Sequence, residues 1–249
     1  MGFDVENAAR LLADARRQHR QLTPFSPGPP DAQAAYAVQD RIAGLFGPVG
    51  GWKVGAKAPP DMPIAAPLFA DLVRPSPAEW PAGSLHMIGI EAELAFRVGR
   101  DVPARREPLS DDEIWGSIAS MHAAVEIVDT RLATWKDADR LWVLSDNQSN
   151  GGFVYDRAGL AVPDGPLAEA QVRLVLDGKT VIDGVRANPA GDPRRLVAWL
   201  VNHCALSRGG LREGMFITTG SYTGMPFVEP GASVEARFDG IGAVSVSFL

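Results

Sequence analysis

Two Asp-Gly pairs, Asp177-Gly178 and Asp239-Gly240, each stand between stretches in which apolar and polar residues alternate. That pattern is the strongest short-range signal for an antiparallel hairpin. It predicts strands at 172–176 and 180–182 around the first pair, and at 233–238 and 243–248 around the second. Further short apolar runs predict strands at 51–56, 87–98, 123–129, 152–155 and 216–219. The 26 glycines and 20 prolines are scattered without a repeat, so many turns join short elements.

Helical spacing appears ahead of the strands. Ala8, Leu11, Leu12 and Ala15 share one face of a helix predicted over 5–21, and Ala35, Val38, Ile42 and Leu45 share one over 32–46. The proline-rich segment between them ends in Asp31, a good N-cap. Two more helices are predicted. One runs from Ser110 to about His122, opened by a Ser110/Glu113 capping box; the other covers 192–207, with Pro193 in its first turn. Helices followed by a hairpin-rich body predict an α+β architecture or a closed mixed sheet, with an N-terminal helical region at 1–49 and a β-rich core at 50–249. A doubly wound dinucleotide-binding sheet is disfavoured, because no G-x-G-x-x-G follows a strand.

Charge and cysteine content narrow the function. With 24 Lys and Arg against 30 Asp and Glu, the net charge of -6 lacks the electrostatic footprint of a nucleic-acid binder. The single cysteine, Cys204, excludes an intramolecular disulfide framework and any multi-cysteine metal site. Cys204 itself reads as a small buried hydrophobe. With no apolar stretch of signal-peptide or membrane-spanning type, a soluble cytoplasmic protein is expected.

Several polar residues stand out against apolar surroundings. In Ile90-Glu91-Ala92-Glu93-Leu94-Ala95-Phe96 the period of two turns Glu91 and Glu93 to the same strand face. They read either as a solvated outer face or as oxygen ligands for a hard cation such as Mg²⁺, Mn²⁺ or Ca²⁺. Glu126 lies in a run apolar on both faces, where an ionised carboxylate needs a partner or a metal. Arg131 is a candidate partner, for Glu126 or for Asp129. Lys53, in Gly51-Trp52-Lys53-Val54-Gly55, either snorkels to the strand end or is desolvated, with a lowered pKa suited to acid–base work. Asp71 is polar in an apolar setting and reads as a turn or cap residue. The segment 145–152, with Asn147, could line a polar pocket, and 218–224, with Thr219 and Ser221, could cradle a carboxylate. Tight-turn chemistry accounts for both segments equally well. His86, His122 and His203 show no H-x-x-x-H spacing, and His122 and His203 fall on predicted helices.

GWKVGAK, IGIEAELAFRVGRDV, AAVEIVDTRLATWK, SDNQSNGG, ITTGSYTGM and SVEARFDGIGAVSVSF, in this order, resemble the 2-keto-4-pentenoate hydratase branch of the fumarylacetoacetate hydrolase superfamily. The resemblance spans nearly the whole chain. It implies a mixed β-barrel or roll core behind an N-terminal helical region, a divalent Mg²⁺ or Mn²⁺, a small 2-oxo or 2-hydroxydienoic acid substrate, and homo-oligomeric assembly. By position it places the metal carboxylates on Glu91, Glu93 and Glu126, and the proton-transfer lysine and aspartate on Lys53 and Asp71. Two departures reshape the pocket. Gly55-Ala56-Lys57 replaces the family's Gly-Leu-Thr, and Gln148 stands where a small residue usually follows the Asp-Asn pair.

The implied chemistry is hydration, with Lys53 requiring a depressed pKa to exchange protons near neutrality. The sister reaction, decarboxylation of a 2-oxo-enedioate, would use the same metal enolate. A carbon–carbon hydrolase fits less well because His86 has no matching motif. A catalytically silent binding protein is the reading from a different class.

Overall fold

Asp4 and Asp31 each start a helix by the same device: their carboxylates accept the backbone N–H groups of Asn7 and Ala34, donors that a helix otherwise leaves unpaired at its start. The helices are α1 (Val5–Arg17) and α2 (Ala32–Phe46), in a computed structural model that describes residues 2–249. α1 ends before the predicted Gln21. The apolar stripe stops at Ala15, and His19 adopts a left-handed backbone with φ 46°. Ala8, Ala9 and Leu12 of α1 pack with Val38 and Ile42 of α2, and with Phe69, Leu132 and Trp142, in a satellite cluster beside the main core.

The strands begin with β1 (Val49–Gly55), β2 (Ile64–Phe69), β3 (Val73–Pro75), β4 (Ala78–Trp80), β5 (Ile88–Val98) and β6 (Val102–Pro103). After the single turn α3 (Asp111–Trp115) come β7 (Ile118–Val128), α4 (Arg140–Ser145), β8 (Asn150–Tyr155), β9 (Glu169–Leu176) and β10 (Lys179–Ala187). The chain ends with α5 (Pro193–Ser207), β11 (Gly210–Leu211), β12 (Phe216–Ser221), β13 (Phe227–Val228), β14 (Ser233–Phe238) and β15 (Gly242–Phe248). The larger sheet runs β2-β1-β12-β5-β7-β8-β3, with β13 added beside β5; the second runs β10-β9-β14-β15-β4. A short pair, β11-β6, stands apart from both.

Both Asp-Gly hairpins form. β9 pairs with β10 and β14 with β15, and Gly178 and Gly240 each turn the chain at φ 73°, a conformation glycine adopts without steric penalty. The architecture is α+β, and neither sheet closes into a barrel. Instead, β14 and β15 pack on β7 of the larger sheet. The main core includes Ile90, Leu94 and Phe96 from β5, Val234 and Phe238 from β14, and Leu196 and Leu200 from α5. Because strand side chains alternate, burying Ile90, Ala92, Leu94 and Phe96 in this core turns Glu91 and Glu93 to the opposite face.

The helix expected from Ser110 to His122 is only the turn α3. The capping box forms as expected, but Gly116 caps the far end and β7 begins at Ile118, so His122 lies on a strand. Pairing with β5 from Ile118 to Val128 outweighs the weak local helical preference. His122 is fixed between the Ser120 hydroxyl at 2.8 Å and the Asp156 carbonyl at 2.7 Å.

His203 does lie on a helix, α5, stacked on Trp199 with ring centroids 4.7 Å apart. Burial, assisted by nearby Arg208, lowers its pKa from 6.5 to about 4. The folded chain therefore holds His203 neutral where an unfolded chain would protonate it. This contribution to stability is present above pH 6.5 and is lost as pH falls through about 4. Urea unfolding is expected to show lower stability at pH 4.5 than at pH 7, with a smaller difference in His203→Gln; an undiminished difference would rule out this source.

Candidate active site

Four neighbouring strands carry the functional side chains. The order β1-β12-β5-β7 sets Lys53 beside Thr218, and the register places Glu91 directly opposite Glu126. Like charges facing each other across a ladder destabilise it, yet both strands continue through this pair. β5 is buried on both faces over most of its length, so the solvated-face reading of Glu91 and Glu93 fails. Segment 135–144, including α4, covers this side of the sheet with Trp135, Val143 and Leu144.

Each glutamate has its own support. Glu126, fully buried, accepts from Lys53 Nζ at 2.5 Å and from Asn150 Nδ2 at 3.0 Å, both through Oε1. Its Oε2 is buried without a donor among the described residues. Glu93 accepts from the Thr218 hydroxyl and from the Gly220 N–H at 3.0 Å. Ligand oxygens of Glu91, Glu93 and Glu126 lie within 4.8 Å of one another. That spacing is compatible with a cation bonded to each at ~2.1–2.4 Å.

Charge balance points the same way. Three ionised carboxylates against one ammonium leave two uncompensated negative charges in a buried site. Burial, partly offset by Lys53, raises the Glu91 pKa to about 7. Burial and the neighbouring carboxylates raise that of Glu93 well above its ordinary value. A hard divalent cation would cancel this cost, so the oxygen donor set, the unpartnered Oε2 and the charge count all fit Mg²⁺ or Mn²⁺.

Lys53 departs from the sequence expectation in its electrostatics. Burial alone pushes its pKa down, but Glu126, Glu91 and Glu93 outweigh burial and raise it. It does not snorkel, because its ammonium also donates to the Gln148 carbonyl at 3.0 Å. That carbonyl is aimed by an unusual turn. Asn147, Gln148 and Ser149 all have positive φ, at 51°, 50° and 58°, a conformation that costs non-glycine residues on the order of 1–3 kcal/mol each. A buried network holds the turn: Asp146 accepts from the Thr130 hydroxyl and from Arg131 through its N–H and its Nε. Arg131 thus pairs with Asp146 at 2.6 Å and approaches Asp129 at 3.6 Å, while Glu126 takes Lys53 as its partner.

The other expected site residues divide. Ser221 lines the same cavity as Lys53, Glu91 and Glu93. Thr219 is buried and donates its hydroxyl to the Leu94 carbonyl, while Asn147 donates to the Pro67 carbonyl at 3.4 Å. Both serve the backbone. Nearby positions in the same segments supply the side chains at the glutamates: Thr218, one residue before Thr219, and Asn150, three residues after Asn147. Strand alternation predicts opposite faces for Thr218 and Thr219; nothing local says which one meets Glu93.

Asp71 is exposed, in a short 3₁₀ turn after β2, and lines a separate cavity of about 130 Å³ with Arg16, His86, Asp129 and Arg131. Arg16 connects the two regions by donating to the Asn150 carbonyl at 3.0 Å. His86 approaches Asp129 at 3.5 Å in this second cavity, so this His–carboxylate pair stands away from the glutamates. Cys204 is buried, as its apolar context implies.

The cavity over Lys53 holds about 390 Å³ and joins a wider outer space of about 760 Å³, sharing Lys57, Arg140 and Gln148 with it. Gln148 Nε2 and Ser149 Oγ, in the turn that lines this cavity, are buried donors without partners among the described residues. A polar inner end and apolar walls suit a small, oriented organic anion.

Comparison with known proteins gives this geometry its family. A 2-keto-4-pentenoate hydratase of Paraburkholderia phymatum is 28% identical over 257 residues, covering 98% of this chain and 97% of the relative. A 4-oxalocrotonate decarboxylase of Pseudomonas putida is 29% identical over 160 residues, covering 64% of this chain and 60% of the relative. The 4-oxalocrotonate decarboxylase of Pseudomonas putida G7, solved with magnesium and adipate, superposes with a TM-score of 0.84 at 24% identity, covering 98% of this chain and 97% of that one. The model of the fumarylacetoacetate (FAA) hydrolase C-terminal domain matches residues 42–248. The chain belongs to the fumarylacetoacetate hydrolase family, in the branch of the 2-keto-4-pentenoate hydratases and 4-oxalocrotonate decarboxylases.

Proposed function

We propose that this chain is a divalent-metal-dependent hydratase that adds water to a small 2-hydroxydienoic or 2-oxo-enoic acid. The observation carrying the proposal is the Lys53 ammonium, held 2.5 Å from Glu126 at the inner end of a cavity that Glu91 and Glu93 also line. Hydratase relatives that align over 98% of the chain support the same reading, and the magnesium and calcium complexes of the decarboxylase structures support a divalent ion. Glu91, Glu93 and Glu126 would hold the Mg²⁺ or Mn²⁺, which would supply positive charge to the oxygens of a 2-oxo acid. The remaining work falls to the chain. Asn150, Thr218 and the Gly220 N–H orient the carboxylates. Val54, Val128 and Leu144 give the conjugated carbons an apolar wall.

Hydration needs a proton at the far carbon of the dienol, followed by addition of water to the conjugated enone. Lys53 Nζ is the proton carrier nearest the glutamates, and balancing their charge with a divalent cation would offset the effect that raises its pKa, leaving the burial that lowers it. The Gln148 and Ser149 side chains, whose amide and hydroxyl have no partner among the described residues, stand in the wall of the same cavity. Decarboxylation of a 2-oxo-3-enedioate is the second reading, favoured by the similarity to the decarboxylase fold. Purified protein with Mg²⁺ should be given either 2-hydroxypenta-2,4-dienoate or 2-oxohex-3-enedioate, following ultraviolet absorption and carbon dioxide release. Loss of dienoate absorption with a 4-hydroxy-2-oxo product is expected. Stoichiometric carbon dioxide from the diacid without hydration of the dienoate would transfer the assignment to the decarboxylase.

A further inference from the structure

The cavity is electrostatically two-ended. Its inner end carries Glu91, Glu93 and Lys53, and its outer end carries Lys57 and Arg140. The two cations also line the outer space, so they stand where the two cavities meet. Both side chains belong to exposed residues. Among the described residues neither has a carboxylate within ion-pair distance. Asp139, which also lines the outer space, is committed to capping α4 through the Leu141 N–H. Asp61 lines the outer space only.

Lys57 lies four positions beyond Lys53, at most ~13 Å along an extended chain. An acid of five to seven carbons with its head at the glutamates can thus bring its far end within reach of the flexible lysine and arginine side chains. Between the two ends lie apolar side chains such as Val54, Val143 and Leu144. A ligand complementary to all three zones has an oxygen-rich head, an unsaturated apolar middle and an anionic tail.

We propose that Lys57 and Arg140 form a distal anion subsite, which makes the preferred substrate a dicarboxylate: a 2-oxo or 2-hydroxydienoic acid with a second carboxylate at its far end. This rests on the reading of the glutamate end as the seat of the 2-oxo acid head. The guanidinium and ammonium supply charge-assisted hydrogen bonds to the tail, and their flexibility accommodates some variation in chain length. A monoacid still enters and binds by its head, but leaves both cations solvated and unmatched.

Saturated 2-oxo acids test recognition without turnover. Calorimetric titration in saturating Mg²⁺ compares 2-oxoadipate with 2-oxohexanoate, and 2-oxopimelate with 2-oxoheptanoate, in the parent chain, Lys57→Gln, Arg140→Gln and the double variant. In the parent, at least one diacid is expected to bind ~10-fold or more tightly than its monoacid, the scale of one or two charge-assisted bonds. The double variant should reduce that ratio to within ~2-fold while leaving monoacid affinity unchanged, which also shows that the inner site remains folded. Equal affinity for the diacid and monoacid in both pairs of the parent chain overturns the distal subsite and leaves the 2-oxo head reading standing. An equal loss of both acids in the variants also overturns it, by placing the cations on the head carboxylate. Failure of every acid to bind in the presence of Mg²⁺ overturns the head reading itself.

Discussion

Glu126→Gln is expected to abolish Mg²⁺ uptake and turnover together, while Glu91→Gln loses the metal but leaves a metal-free protein more stable than the parent. The two substitutions remove the same charge from the same cross-strand pair, so their opposite effects on stability follow from their neighbours. Glu126 is the carboxylate that pairs with Lys53, at 2.5 Å, and it also accepts from Asn150. Its neutralisation leaves the buried ammonium with neutral oxygens as its hydrogen-bond acceptors, the Gln148 carbonyl among them, and only Glu91 and Glu93 to balance its charge. Removing one partner of a buried ion pair costs up to ~3–5 kcal/mol. Glu91 has no such commitment, and burial raises its pKa to about 7 against the lowering effect of Lys53. A neutral side chain there removes the cost of burying a charged carboxylate and, to a smaller degree, its repulsion from Glu126, against the loss of its attraction to Lys53, a net gain of ~1 kcal/mol or ~2–4 °C in Tm. With one of three anionic ligands gone, either variant should bind Mg²⁺ at least ~100-fold more weakly. Calorimetric titration with Mg²⁺ and thermal melts in chelator measure both quantities. Unchanged metal affinity in both variants would refute the carboxylate site, and a less stable Glu91→Gln would refute the argument from the buried charge of Glu91.

The sequence made the strand face of Glu91 and Glu93 visible, because a period of two needs only the local chain. It did not show what covers that face. Residues 135–144 return over the sheet, and α4 is one short turn of helix whose apolar run gives little periodicity to read. The hairpins at Asp177-Gly178 and Asp239-Gly240 were legible for a related reason: the turn residues and the alternation they join are adjacent in the chain. The extent of α3 was not, since its end depends on β7 pairing with β5. Residue types at the site were readable, but exact positions less so. Thr218 and Asn150, at the glutamates, each stand beside polar residues that local chemistry cannot distinguish from them. The Lys53 pKa illustrates the same limit. Burial favours a lowered value, and only the spatial convergence of three carboxylates from two other strands reverses the sign.

Lys53 and Asp71, paired by family position as proton-transfer residues, are expected to diverge under mutation. Lys53→Met removes the one ammonium that contacts Glu126, and with it the group closest to a bound 2-oxo acid that can carry a proton. Turnover should fall by ~10²-fold or more. The same substitution takes a positive charge away from the cation site, so Mg²⁺ should bind at least as tightly as in the parent, an effect opposite in sign to the loss of activity. Asp71 lies in the other cavity, where it reaches the glutamates only through a relay. Its charge acts on Arg16, Arg16 donates to the Asn150 carbonyl, and the Asn150 amide holds Glu126. Each link dilutes the effect, so Asp71→Asn should lower turnover by about tenfold or less, through a slightly misplaced Glu126 rather than a missing proton carrier. Metal affinity and turnover should then decline together in Asp71→Asn and move apart in Lys53→Met. Measuring both quantities in both variants decides the roles. A Lys53→Met enzyme within about twofold of the parent would demote the lysine to a structural counter-ion, whereas a 10²-fold loss in Asp71→Asn with metal binding intact would require Asp71 to reach the substrate directly.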